Sequence, residues 1–243
     1  MNRTISIIVP AFNEAAILAE SLAIIRQAAG AFDAAGFTWE LIVCDNNSTD
    51  DTPAIAKDAG ALVVFEPINQ IGRARNTGAA AAAGEWLLFV DADSHPSREL
   101  LADVTREIAG GRCLAGGSTV TIDHPSPAAR RVVAVWNLIS RLSHWAAGSF
   151  IFCETSAFRE VGGFNLQLFA AEEIDLFRRL KRLARARRRS IRILSEHPLH
   201  TSDRKERLYS PREFLTFQLK TILTGGRTLR SAGECAMWYD GRR

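Results

Sequence analysis

The chain lacks several features that would place it in familiar protein classes. None of its apolar runs reaches the about 18 uninterrupted residues that a membrane-spanning helix needs. Its first residues, 1–5, lead into a strand pattern without the apolar core of a signal peptide. The four cysteines are scattered, with no Cys-x-x-Cys pair, which argues against a disulfide framework and against structural zinc. We therefore expect a cytoplasmic protein in a reducing compartment.

A strong excess of one charge is also missing. The 30 basic and 27 acidic residues leave a net charge of only +3, which argues against a general nucleic-acid-binding protein. Hydrophobic residues make up 47% of the chain and charged residues 23%, so a packed core is expected rather than disorder. A length of 243 residues fits one domain of generous size.

The first hundred residues alternate between strand-like and helix-like patterns. Asn13 and Thr52 are predicted helix N-caps, and Pro53 suits the first turn that follows. Such alternation predicts an α/β fold with a mainly parallel, Rossmann-like sheet flanked by helices. The predicted strands are 5–9, 41–44, 61–65 and 86–90.

The pattern loosens after about residue 110. Residues 113–122 suggest a strand broken at Gly116-Gly117, and residues 128–147 an amphipathic helix with an apolar stripe. A strand-like run follows at 148–153, and a helix that soon becomes basic begins at Ala171. Residues 209–224 are predicted to form a further helix.

Asp91 and Asp93 follow the apolar run 86–90, which is typical of a buried strand. Residues i and i+2 at a strand end point to the same side, so the two carboxylates are expected to converge beyond the edge of the sheet. Ligands of open α/β sheets bind at that edge. Paired carboxylates there are typical of a divalent cation that carries phosphates.

Five segments in order extend this pattern. Together they resemble the family 2 glycosyltransferases, which have the GT-A fold, over roughly residues 4–200. The resemblance implies a nucleotide-sugar-binding half (1–110) and an acceptor-binding half with C-terminal helices (111–243) in one continuous domain. The five segments are Pro-Ala-Phe-Asn-Glu at 10–14, Asp-Asn-Asn-Ser-Thr-Asp-Asp-Thr at 45–52, Asn-Gln-Ile-Gly-Arg-Ala-Arg-Asn-Thr-Gly at 69–78, Asp-Ala-Asp at 91–93 and Glu-Glu-Ile-Asp at 172–175.

The resemblance implies a donor site built from the first four segments. Asp45 would accept a hydrogen bond from the nucleobase, and Arg75 rather than Arg73 fits the family position for a diphosphate or base contact. Helix capping remains the alternative for Glu14. The residues assigned to the nucleotide sugar are Pro10, Phe12, Glu14, Asp45, Arg75 and Asp91.

A divalent metal, Mn²⁺ or Mg²⁺, is implied as the cofactor. Asp93 is the expected direct ligand, Asp91 would contact the ribose or the metal, and His200 is a further candidate ligand or an ordinary surface residue. The metal would stabilise the departing nucleoside diphosphate. Asp91 therefore appears in both the donor and the metal assignments.

The segment Glu172-Glu173-Ile174-Asp175 resembles the family's Glu-Asp motif, whose second residue is the general base. Here that residue is Glu173 instead of Asp, and Asp175 is the reserve candidate. A cluster of carboxylates that merely favours the start of a helix is the alternative. With an independent base, the expected reaction is an inverting single displacement.

The expected partners are a nucleoside-diphosphate sugar and a glycan, lipid-linked or small-molecule acceptor, with no nucleic acid. Residues 178–192 hold nine basic residues in fifteen, so peripheral contact with an anionic inner membrane face is an alternative to a solvated helix. Two other functions stay open: a nucleotidyltransferase, and a non-catalytic module that binds nucleotide or glycan. The lack of a glycine-rich, lysine-bearing phosphate loop after the first strand argues against the former.

Overall fold

The structure, a computed structural model, describes residues 3–122, 125–202, 227–231, 233 and 235. The helix predicted at 209–224 lies outside these residues. The eight strands are β1 (Thr4–Ala11), β2 (Thr38–Asp45), β3 (Leu62–Phe65), β4 (Trp86–Val90), β5 (Ser94–His95), β6 (Cys113–Ile122), β7 (Phe150–Glu154) and β8 (Ser190–Thr201). The α-helices are α1 (Leu18–Ala34), α2 (Thr52–Asp58), α3 (Ile71–Ala81), α4 (Arg98–Ala109), α5 (Pro127–Ser143), α6 (Thr155–Glu160) and α7 (Glu172–Ala186).

All eight strands form one sheet, in the order β3-β2-β1-β4-β7-β6-β8-β5. The strands β3, β2, β1 and β4 run parallel to one another, as the alternating pattern predicts. Beyond β4 the sheet becomes mixed, because β7 is antiparallel to both β4 and β6, whereas β8 is parallel to β6. The predicted α/β class is therefore confirmed, with the parallel pairing concentrated in the first half.

The predicted break at Gly116-Gly117 is wrong, because β6 continues through both glycines. Their role is to leave room for neighbours. A Cβ on Gly116 would lie 2.3 Å from the carbonyl oxygen of Arg192, and one on Gly117 would lie 2.2 Å from the Cβ of Ala146. A glycine inside a strand often marks such a close approach.

Hydrophobic clusters cover both faces of the sheet. One contains Ile5, Leu22 and Phe32 together with Phe150 and Phe152 of β7. The other joins residues of β1 and β2 to residues of α7, so each cluster draws on both halves of the chain. No helix among the described residues is both long enough and apolar enough to cross a bilayer.

Candidate active site

A cavity of about 300 Å³ lies beyond the carboxyl end of β4. Chain segments that are far apart in sequence meet there. The end of β4 contributes Asp91 and Asp93, α3 contributes Arg75, and the start of α7 contributes Glu172 and Glu173. Trp136 of α5, the 147–149 loop and the end of β8 complete much of the lining. The cavity thus brings together most of the acidic residues that the sequence singles out.

Asp91 and Asp93 both reach this cavity, as their spacing at a strand end predicts. A turn joins them, since the N–H of Ser94 donates to the carbonyl of Asp91 at 3.0 Å. The side chain of Asp93 is buried, and its oxygens accept hydrogen bonds from Ser94 at 3.4 Å and Ser202 at 3.3 Å. Both bonds are long, so a stronger partner could displace them at little cost.

Arg75 holds the centre of the site together and is itself buried. One terminal nitrogen donates to Glu172 at 2.6 Å, and the other donates to Asp91 at 2.8 Å and to the carbonyl of Gly148 at 2.9 Å. Its guanidinium also lies 5.2 Å from the centre of the Phe164 ring. Although burial acts in the opposite direction, the carboxylates of Asp91 and Glu172 raise the pKa of Arg75, so it stays charged.

The three carboxylates at the start of α7 have different surroundings. Glu172 is paired with Arg75, and Asp175 is paired with Arg179 one turn later, at 2.7 Å. Asp175 does not line the cavity, whereas Glu173 does. Among the described residues, Glu173 makes no ion pair.

Glu173 has a strongly raised pKa. Burial is the main cause, the negative charge of Glu172 adds to it, and Asp91 contributes in the same direction. Arg75 opposes the shift but is already shared between two other carboxylates. Together these effects raise the pKa of Glu173 to about 8, well above its ordinary value of 4.5. A carboxyl group tuned in this way suits proton transfer near neutral pH.

The segments at the ends of β1 and β2 are tied to each other by hydrogen bonds. The N–H of Asn13 donates to Ser48 at 3.0 Å, and the N–H of Glu14 donates to the hydroxyl of Thr52 at 2.8 Å. The side chain of Asn13 accepts from the N–H of Thr49 at 2.8 Å. The predicted N-caps at Asn13 and Thr52 are therefore wrong, because their side chains join two loops instead; α1 begins at Leu18.

The donor-side residues lie at this pair of loops and do not line the 300 Å³ cavity. Pro10 is buried within β1, opposite Cys44 of β2, and Phe12 is half-buried just beyond the strand. Glu14 and Asp45 are both buried, and Asp45 accepts from the N–H of Ser48 at 3.0 Å. Their roles in nucleotide binding stay predictions.

His200 is exposed and does not line the cavity, and its role as a metal ligand stays a prediction. It lies on β8 opposite His95 of β5. The next two residues, Thr201 and Ser202, line the cavity instead, and Ser202 contacts Asp93. Ser202 was not identified as a site residue from the sequence, because it belongs to no recognisable motif.

Another acidic cluster lies elsewhere on the described part of the chain. Asp103, Glu196 and His197 bring their ligand atoms within 4.8 Å of one another. Asp103 is already paired with Arg106 and accepts a hydrogen bond from the ring of His197 at 3.0 Å. None of these residues lines the cavity at Asp93. The cluster is therefore explained by its own ion pairs.

Comparison with known proteins bears on this arrangement. A family model described as Glycosyl transferase family 2 matches residues 6–160, which include β1 through β7 and both aspartates. The chain belongs to glycosyl transferase family 2. The resemblance carried by the five sequence segments is thereby confirmed.

Relatives of this family 2 chain are found among bacterial proteins. An uncharacterized glycosyltransferase of Rickettsia conorii is 32% identical over 143 residues, which are 57% of this chain and 50% of that protein. An uncharacterized glycosyltransferase of Mycobacterium tuberculosis is 34% identical over 113 residues, 46% of this chain and 47% of that protein. The chain thus aligns with only about half the length of these curated relatives.

Solved structures show that the family 2 chain has the GT-A glycosyltransferase fold. A mannosyltransferase of Pyrobaculum calidifontis, in complex with GDP-Man and Mn²⁺, matches with a TM-score of 0.62 at 21% identity, over 83% of this chain and 57% of that one. Glucosyl-3-phosphoglycerate synthase of Mycobacterium tuberculosis, with Mn²⁺, UDP and glucosyl-3-phosphoglycerate, matches with a TM-score of 0.63 at 21% identity, over 91% and 77%.

Proposed function

We propose that this protein is a metal-dependent, inverting glycosyltransferase that moves a sugar from a nucleoside-diphosphate sugar to a hydroxyl acceptor. One observation carries the proposal: Asp91, Asp93 and Glu173 line the same cavity at the carboxyl end of the sheet. Family membership and fold support the reaction class. The family makes a nucleotidyltransferase the weaker alternative, and measured turnover of a nucleotide sugar would exclude a non-catalytic binding module.

The residues around Asp93 fit a divalent cation. Their ligand atoms are carboxylate and hydroxyl oxygens, from Asp91, Asp93 and Ser202, which suit Mg²⁺ or Mn²⁺. One oxygen of Asp91 is engaged by Arg75, so the other is the one available to the cation. The cation would neutralise charge on the departing diphosphate. This fit does not require His200.

Glu173 is the proposed general base. Its carboxylate would take the proton of the acceptor hydroxyl as that oxygen bonds to the anomeric carbon and the nucleoside diphosphate departs. Glu172 is less suited because Arg75 binds it at 2.6 Å, and Asp175 is less suited because it is paired with Arg179 outside the cavity. The contacts therefore favour the residue that the family motif places second.

Arg75 has a different proposed role from the sequence prediction. Each of its terminal nitrogens donates to a protein oxygen, so we propose that it positions Asp91 and Glu172 rather than holding the diphosphate by itself. Direct donor binding is assigned to the loops around Pro10, Phe12, Glu14 and Asp45. The acceptor is proposed to be a glycan, a lipid-linked glycan or a small molecule, and a location on the inner membrane face stays a prediction.

The test of the proposal is a pair of carboxylate variants. Asp93→Asn is expected to lower metal-dependent transfer by at least about a hundredfold, since it weakens a ligand of the cation. The matched control is Glu196→Gln, which alters the exposed acidic cluster at Asp103 and is expected to leave transfer unchanged. Transfer is measured with a panel of nucleotide sugars over a Mn²⁺ titration. Full activity of Asp93→Asn at an unchanged Mn²⁺ requirement would refute the proposed metal site.

A further inference from the structure

The outer face of α5 is apolar and exposed. Val132, Val135 and Leu138 are 55%, 57% and 57% exposed, and Leu142 reaches 75%. These residues recur at helical spacing, so they form one band along the helix. The opposite side of α5 packs inward through Trp136. The stripe that the sequence predicts is therefore only partly buried, and exposed aliphatic residues in one contiguous band mark an interaction surface.

Cations surround this apolar band. The helix α5 contains three arginines, Arg130, Arg131 and Arg141, and no carboxylate, and all three arginines are exposed. The C-terminal end of α5 contacts α7, because the ammonium group of Lys181 donates to the carbonyl of Ser143. The basic face of α7 is thus continuous with the α5 band.

Trp145, just after α5, strengthens this junction. The guanidinium of Arg178 lies 5.7 Å from the centre of its ring and the ammonium of Lys181 lies 5.2 Å from it. Partial burial, followed by the charges of Arg185 and Arg178, lowers the pKa of Lys181. The cations of this region are therefore close enough to repel one another, a cost that an anionic partner would relieve.

The basic run at 178–192 divides into two groups. Arg179, Arg187, Arg189 and Arg192 are paired with carboxylates of this chain, and Arg188 is exposed beyond the end of α7. Within the described residues, the outward cations Arg178, Lys181, Arg182 and Arg185 have no carboxylate within ion-pair distance. We call these four residues and the α5 band, 132–142, the α5–α7 surface. The interpretation as a solvated helix thus suits the arginines that are paired with carboxylates. The interpretation as a membrane contact suits the four outward cations.

We propose that the α5–α7 surface docks onto an anionic lipid bilayer. Exposed aliphatic residues next to unpaired cations are the combination by which amphipathic helices bind such interfaces. A second copy of the chain is a poorer fit, because a twofold interface would bring like charges together. Residues 203–226 are also a poorer fit, since they carry five basic and three acidic side chains. The cavity lies directly beside this surface, because Trp136 of α5 and Glu173 of α7 line it.

Vesicle binding of the full chain tests the proposal. The protein is sedimented with phosphatidylcholine vesicles, alone or with about 30% phosphatidylglycerol, at low and at high salt. We expect binding to the anionic vesicles only, and we expect high salt to weaken it. Neither donor nor acceptor is present, so the result is independent of the proposed transferase activity.

Two variants and two controls locate the surface. Leu138→Gln/Leu142→Gln removes apolar contacts, and Arg178→Gln/Arg182→Gln/Arg185→Gln removes three charges; each is expected to lower vesicle partitioning by about tenfold or more. The aliphatic control is Leu62→Gln, at a residue 49% exposed on β3. The charge control changes three exposed cations elsewhere to glutamine. These are Lys57, Arg98 and Arg112.

The controls are expected to bind within about twofold of the unaltered protein, and melting temperatures confirm that every variant is folded. Absence of binding to anionic vesicles, or equal losses in variants and controls, would overturn the proposal. So would a dimer that dissociates in the Leu138→Gln/Leu142→Gln variant.

Discussion

At the scale of single residues, the site depends on how one arginine is shared between two carboxylates. Arg75 engages Asp91 and Glu172 directly, which leaves Glu173 beside the negative charge of Glu172 with only partial compensation. Removing one partner of such a buried pair typically costs about 3–5 kcal/mol, because the other charge is left unpaired. The arrangement therefore fixes two carboxylates and raises the pKa of the third.

The sequence could predict Asp91 and Asp93 as a pair because both lie at the end of one strand. It could not predict that Arg75 pairs with Glu172, since 97 residues separate them and only the fold brings them together. Ser202 and Asp93 are separated by 109 residues, and the same reason applies. The resemblance to the family motifs identified the candidate site residues. The residues that pair with them could be identified only from the structure.

Glu173→Gln is predicted to stabilise the protein at alkaline pH. The folded-state pKa of Glu173, about 8, is above the ordinary 4.5, so its contribution to stability is fully present below 4.5 and is lost as pH rises through 8. Glutamine stays neutral. We expect the free energy of unfolding at pH 9 to rise by up to about 5 kcal/mol, with no difference near pH 4. Urea denaturation at both pH values measures this.

The control for that prediction is Asp175→Asn, which removes the half-buried pair with Arg179. We expect it to cost about 0.3–0.5 kcal/mol at neutral and alkaline pH alike. Glu173→Gln is also expected to abolish transfer, because glutamine accepts no proton from the acceptor. A stability gain of Glu173→Gln that is the same at pH 4 and pH 9 would contradict the raised pKa.

At the scale of elements, the position of Arg75 depends on how α3 lies on the sheet. Gly78 of α3 faces β1 so closely that an added Cβ would lie 2.5 Å from the Cγ2 of Ile8. The periodicity of the sequence says nothing about this separation between α3 and β1. The α5 stripe illustrates the same limit, because an amphipathic pattern identifies an apolar face and not what covers it.

Gly78→Ala is predicted to destabilise the protein although alanine is the better helix former. The clash with Ile8 is expected to cost about 1–3 kcal/mol net, and the displaced α3 would move Arg75. The control is Gly30→Ala in α1, where an added Cβ meets nothing within 4 Å, and we expect it to stabilise by up to about 1 kcal/mol. Thermal and urea unfolding compare the two. Equal stabilisation by both changes would show that α3 is not closely packed on β1.

At the scale of the whole molecule, the two predicted halves share one sheet. β4 of the first half pairs with β7 of the second across five residue pairs, and each hydrophobic cluster includes residues of both. The parallel pairing in the first half follows from the alternating pattern. The antiparallel insertion of β7 does not, because it depends on pairings across more than 60 residues of chain. The boundary near residue 110 stays a prediction about function.

Because the halves share a core, a ligand at the edge of the sheet is predicted to shift the unfolding of the entire chain. A nucleoside diphosphate that binds only the folded state adds about 2.7 kcal/mol at 100 times its dissociation constant, which corresponds to roughly 5–10 °C for a chain of this size. The proposed site requires that one of UDP, GDP, dTDP or CDP raise the melting temperature in a single transition, and only with Mn²⁺. Asp93→Asn should lose that shift while keeping its unliganded melting temperature within a few degrees, since the hydrogen bonds that Asp93 accepts from Ser94 and Ser202, at 3.4 and 3.3 Å, are long. An equal shift in the presence of a metal chelator would show that the nucleotide binds without the cation. It would then contradict the proposed role of Asp93 in the donor site.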